Sequence, residues 1–293
     1  MSDALSALPL FSPFVEFAFM RRALAGCLAL SLGATPVGVF LMLRRMSLAG
    51  DAMSHAILPG AAIGYLIAGL SLPAMTIGGL LAGLAVAVLS GGVARHTVIR
   101  EDTSLATFYL LSLSAGVLII SLRGSSVDLL HVLFGSVLAL DDAALLLLAG
   151  FASLSIVALA IGLRLFVLEG CDPAFLARIS RLGPLAHYGF LVLLVLNLVA
   201  GFHALGTLMA VGIMILPAAA ARLWVCNIGP LLLMASGLAI AGSITGLLLS
   251  YHINLPAGPA IVLTLGALYL LSLAIGPLAP LASRWRSGWH FER

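Results

Sequence analysis

Leu48-Ala-Gly-Asp-Ala-Met-Ser-His-Ala-Ile-Leu-Pro-Gly60 is an apolar, helix-like stretch interrupted by one carboxylate and one imidazole. Asp51 and His55 are four residues apart, which puts both side chains on one helical face, a turn from each other. The residues around them read as part of a membrane span. Ionisable groups in lipid are costly unless they meet a partner, a cavity or an ion. Only 9% of this chain is charged, so the pair is the first candidate for function.

The rest of the chain extends the same pattern. It has 293 residues, 62% of them hydrophobic, and its mean hydropathy is +1.21. Apolar runs of about 20 residues, the length that crosses a bilayer core, recur from end to end. The fold class is therefore an all-α polytopic membrane protein of about eight to nine helices. A transmembrane barrel would show short alternating segments instead. Spans are expected at 20–43, 52–70, 73–94, 103–122, 143–167, 185–202, 205–222, 229–250 and 259–280. The stretch 125–140 is too short to span and reads as interfacial or re-entrant, and Ser2 to Phe19 reads as an amphipathic lead-in rather than a cleaved signal.

All basic charge is arginine; there is no lysine. A net charge of +3, scattered along the chain, excludes a nucleic-acid reading. The arginines mark topology instead. With Arg44 and Arg45 in the cytoplasm, Arg95, Arg100, Arg164, Arg178, Arg181, Arg222, Arg284, Arg286 and Arg293 are also inside, and only Arg21, Arg22 and Arg123 fall outside. That places the N-terminus outside, the C-terminus inside, and His55 roughly 15 Å into the bilayer, near its midplane. Cys27, Cys171 and Cys226 are odd in number and far apart, so they read as small packing residues rather than a disulfide framework.

Gly60-xxx-Gly64, Gly79-xxx-Gly83 and Gly242-xxx-Gly246 fit close helix packing. Pro59 and Pro217 fall inside spans, and Pro59 removes the donor that would reach the His55 carbonyl. Between spans five and six, Asp172 before Pro173 reads as a helix start and Gly183-Pro184 as its stop. The short helix so defined puts Phe175, Leu176, Ile179 and Leu182 on an apolar side, flanked by Arg178 and Arg181.

Several motifs, in order, resemble the permeases of bacterial zinc and manganese ABC importers, the ABC-3 family. They are Phe19-Met-Arg-Arg-Ala-Leu24, Gly38-Val-Phe-Leu-Met-Leu-Arg-Arg-Met-Ser47 and Gly50-Asp-Ala-Met-Ser-His-Ala56, then Asp128-Leu-Leu-His-Val-Leu-Phe-Gly135 and Asp172-Pro-Ala-Phe-Leu-Ala177, and finally Leu216-Pro-Ala-Ala-Ala-Ala-Arg222 and Pro256-Ala-Gly-Pro-Ala-Ile-Val262. The resemblance implies one permease domain over 1–293 in the bacterial inner (plasma) membrane, with 172–183 as its cytoplasmic coupling helix. It implies a homodimer, a separate ATPase dimer in the cytoplasm, and a periplasmic metal-binding protein that delivers the ion. Without a lysine this chain cannot hold a Gly-x-x-x-x-Gly-Lys-Ser/Thr loop, so it is not the ATPase, and the resemblance implies a transporter subunit rather than an enzyme. Asp51 and His55 become the metal residues, while Asp172, Pro173, Phe175, Leu176, Arg178 and Gly183 become the coupling residues.

Simpler readings compete: Asp51 as an N-cap, and His55 as a hydrogen-bonded interior histidine. His131 with Asp128, His203, and His252 are secondary candidates for an outer pathway. An acidic residue often stands in relatives where this chain has Asn254. His96, His187 and His290 are expected to be solvated at the cytoplasmic edge, and Asp141 and Asp142 outside. An intramembrane metallohydrolase is the remote alternative, but neither His-Glu-x-x-His nor Gly-x-Ser-x-Gly occurs. No permanent cofactor is expected. Imidazole and carboxylate suit Zn²⁺ or Mn²⁺, and three outward histidines favour Zn²⁺ as cargo, with Mn²⁺ the alternative and Fe²⁺ behind it.

Overall fold

The structure, a computed structural model, describes residues 12–69, 71–122 and 140–275. The expected interfacial helix at 125–140, with Asp128 and His131, and the residues beyond 275 lie outside the described residues almost entirely. The described residues form eleven helices: α1 Ser12–Glu16, α2 Ala18–Leu43, α3 Ser47–Ala68, α4 Leu72–His96, α5 Glu101–Leu122, α6 Asp142–Cys171, α7 Pro173–Ile179, α8 Gly183–Leu205, α9 Thr207–Arg222, α10 Ile228–Ile253 and α11 Ala257–Ile275. The nine expected spans fall on the nine long helices. Seven of these are long and apolar enough to cross a membrane. Of the other two, α9 is shorter, at 16 residues, and α3 carries Asp51 and His55.

Two groups of helices flank a buried centre. α2 and α8 are the most buried spans. α3 packs on α4 and α5, α9 packs on α10 and α11, and α2 joins α6, α9 and α10. Phe40, Phe166 and Phe190, from α2, α6 and α8, meet edge to face in the core. Arg22 Nε lies 2.7 Å from Asp142 Oδ1 at one end of α6, and Arg95 Nη2 lies 3.1 Å from Glu169 Oε1 at the other. The residues that arginine placement assigned to opposite sides of the membrane therefore sit at opposite ends of the same helix.

Proline exposes a backbone problem that lipid makes acute, because a free carbonyl there has no water to bond. Pro217 in α9 cannot donate to the Ile213 carbonyl. Thr35 of α2 donates its hydroxyl to that oxygen at 2.9 Å. The approach is possible because Gly38 lies against the backbone of Met214, where a Cβ would collide with the carbonyl. Thr35→Val keeps the shape and removes the donor. It is expected to lower stability by roughly 0.5–2 kcal/mol, read as a drop in the thermal unfolding midpoint in detergent.

Several local expectations are corrected. α3 begins at Ser47 with Met46 as its N-cap, so Asp51 lies within the helix and does not cap it. Gly183-Pro184 opens α8 instead of closing the short helix, which ends at Ile179. Proline at the second helical position suits a start as well as it follows a stop. Cys27 is buried as expected, but Cys171 and Cys226 are exposed. Asn254 adopts a left-handed conformation (φ 55°) as the C-cap of α10, a role that asparagine tolerates well.

Candidate metal-transit site

Helix α3 positions the Asp51–His55 pair. Its far half is held against α4 backbone to backbone: a Cβ at Gly60 would collide with the Gly78 carbonyl, and one at Gly64 with the Ala74 carbonyl. On the α5 side, Ser112 donates its hydroxyl to the Ala56 carbonyl at 3.1 Å, and a Cβ at Gly116 would fall 2.5 Å from Pro59 Cβ. These contacts fix the rotation of α3 and leave Asp51 and His55 on its uncovered face. Their side chains are 64% and 34% exposed in the single chain.

His55 Nε2 lies 3.8 Å from Asp51 Oδ1. That is beyond hydrogen-bond reach, so neither group is locked by the other and both keep lone pairs for an ion. The Tyr109 ring of α5 stands 6.4 Å from the His55 ring, centroid to centroid. Among the described residues, no third His, Cys, Asp or Glu joins them to make a group able to hold a metal.

Of the secondary candidates, Asp128 and His131 lie outside the described residues, and among the described residues His252 does not join this pair in a metal-holding group. His203 lies in the last turn of α8. His252, in the last turn of α10, is exposed and lines a pocket of about 610 Å³ with Phe19, Met20, Tyr251 and Asn254. That pocket lies by the first turn of α2, the end marked by Arg21 and Arg22. Asp51 lies little more than a turn into α3 from the opposite end.

The segment expected to couple to an ATPase is built as a cap followed by a split surface. Asp172 Oδ1 accepts the Phe175 backbone N–H at 2.9 Å. Leu176 is buried, whereas Phe175, Arg178 and Ile179 of α7 and Leu182 beyond it are exposed. The apolar residues expected on one side are thus divided: one anchors the helix to the bundle and the others face away from it.

One cluster was not foreseen. His187, expected to be solvated, is buried, with Nε2 3.2 Å from Glu101 Oε1 but not aligned as a hydrogen bond. Beside it, Arg95 pairs with buried Glu169, and the Arg44 guanidinium lies over the Phe190 ring at 4.1 Å. Burial presses the Arg44 pKa down, and the Glu101 and Glu169 carboxylates act against it. These groups line a cavity of about 680 Å³ at the end of the bundle marked by Arg44 and Arg95. The one sequence signal for it was charge at helix ends, which also reads as topology.

Relatives, a solved structure and a family model bear on identity. The manganese import system permease protein ScaB of Streptococcus gordonii is 33% identical over 89% of this chain and 93% of its own length. The manganese transport system membrane protein MntC of Listeria innocua is 32% identical over 90% and 92%. The solved PsaBC complex of Streptococcus pneumoniae with Fab contains a chain that superposes with a TM-score of 0.77 at 31% identity, covering 90% of this chain and 94% of that one. The model of the ABC 3 transport family matches residues 16–276, and the chain belongs to that family: it is a multi-pass bacterial membrane transport protein, not an enzyme.

Proposed function

We propose that this chain is the permease of an ATP-driven importer of divalent metal, and that Mn²⁺ is its cargo. The observation that carries the reading is a carboxylate and an imidazole on one uncovered face of a span, too far apart to satisfy each other. Two protein ligands hold an ion loosely enough to release it, and the His55 carbonyl freed by Pro59 is a further oxygen on the same helix. The incomplete ligand set supports a homodimer in which a second copy faces α3, with water filling the remaining positions. The exposed side of α7, with Asp172 and Pro173 setting its start and Gly183 opening the next span, is the surface offered to a separate cytoplasmic ATPase dimer. A periplasmic metal-binding protein delivers the ion from the other side.

The histidine count alone favoured zinc. Both relatives described above carry manganese in their names, and that weighs more. An Asp/His pair does not reject zinc by affinity, since zinc binds such ligands more tightly than manganese. Selectivity therefore rests on delivery and on the completed coordination shell. The test is uptake into vesicles carrying this chain with its ATPase and binding protein, supplied with Mn²⁺, Zn²⁺ and Fe²⁺ in turn. ATP-dependent manganese accumulation is the expected result. Accumulation of zinc or iron without manganese overturns the cargo, and no accumulation of any of the three overturns the permease reading.

A further inference from the structure

The segment from Glu169 to Gly183 carries α7, and both of its ends meet one side chain. Arg95 Nη2 lies 3.1 Å from Glu169 Oε1 and donates to the Gly183 carbonyl at 3.2 Å. Glu169 is 6% exposed, so this is a desolvated contact rather than a surface ion pair. The Arg95 guanidinium also stands 5.6 Å from the Tyr188 ring of α8. Arg95 itself belongs to the last turn of α4.

From there the route to the metal pair is rigid. α4 touches α3 backbone to backbone at Gly78 and Gly60, and again at Ala74 and Gly64. Such contacts have no side chain to absorb a displacement. α3 carries Asp51 and His55 on its other face.

We infer that Arg95 is a positioning residue that clamps the base of the coupling segment and passes its movement through α4 and α3 to the Asp51–His55 pair. This rests on the permease reading above. When the ATPase draws α7, Glu169 and Gly183 move together because one guanidinium bridges them, and α4 moves with them. Without the bridge, α7 shifts alone and ATP is hydrolysed without a matching movement of α3.

Removing Arg95 alone would leave Glu169 buried and unpaired, which by itself threatens folding. The test variant is therefore the pair Arg95→Met with Glu169→Gln, which removes both charges at nearly constant volume. In vesicles with the ATPase and binding protein, the reading is metal imported per ATP hydrolysed. The expected result is a ratio at least 10-fold below wild type with ATP hydrolysis within 2-fold of it. Glu169→Gln alone keeps an acceptor for Arg95 and is expected to hold the wild-type ratio. An unchanged ratio in the double variant, or uptake and hydrolysis falling in proportion, overturns the clamp. Should the double variant not assemble, Arg95→Lys decides: it keeps the charge without the planar fork, so a reduced ratio supports the clamp and a wild-type ratio overturns it. Absence of import in the wild type is a different result and counts against the permease reading.

Discussion

His55→Ala is expected to lower manganese uptake by at least the roughly 10–100-fold that loss of an outer-shell partner already costs a metal site. Asp51→Asn is expected to do the same while keeping the shape of the side chain. The two side chains are 34% and 64% exposed in the single chain, so neither supports the core. Stability is expected to stay within about 0.5 kcal/mol of wild type, as for surface substitutions. The separation of effects is the point: transport lost, assembly kept. The measurement is initial uptake rate in vesicles, with assembly checked by size-exclusion chromatography. Wild-type rates in either variant would make the pair structural and place the ion path elsewhere.

The helices were legible because a bilayer leaves few options. Apolar runs of span length must be helices, and arginines mark their ends. The long helices fell close to their expected positions for that reason, and Arg22 with Asp142 and Arg95 with Glu169 stand at opposite ends of one helix, as the arginine pattern separated them. The start of α3 was missed by about a turn. Ser47 to Gly50 is neither strongly apolar nor capped by its own side chains, so the boundary had to come from packing. Asp51 and His55 were legible because they are four apart on one helix. The cluster of Arg44, Arg95, Glu101, Glu169 and His187 was not. Its members come from different helix ends, 74 residues apart in the case of Arg95 and Glu169, and nothing local distinguishes a buried helix-end charge from a wet one. Thr35 shows the same limit. Pro217 reveals that the Ile213 carbonyl needs a donor, but only the fold reveals that the donor lies 178 residues away.

Gly60→Ala is expected to be among the most damaging single-methyl changes in the protein. The new Cβ would meet the carbonyl of Gly78, and a Cβ on Gly78 would meet the carbonyl of Gly60, so the two backbones are in mutual contact. Overpacking usually costs about 1–3 kcal/mol, because side chains turn aside. Here the obstacle is backbone on a neighbouring helix, and α3 and α4 must separate, so a loss of about 3 kcal/mol or more is expected. The comparison is Gly237→Ala in α10, where a Cβ meets nothing within 4 Å. Alanine also favours helix over glycine, so that variant is expected to be neutral or to gain up to about 1 kcal/mol. Unfolding midpoints of both variants in the same detergent make the test. Equal effects would mean that the α3–α4 contact is not the tight one. A folded Gly60→Ala protein that still imports manganese at the wild-type rate would show that the metal pair tolerates movement of its helix. A Gly60→Ala protein that folds in cold detergent but imports little ties the ion path to the distance between these two backbones.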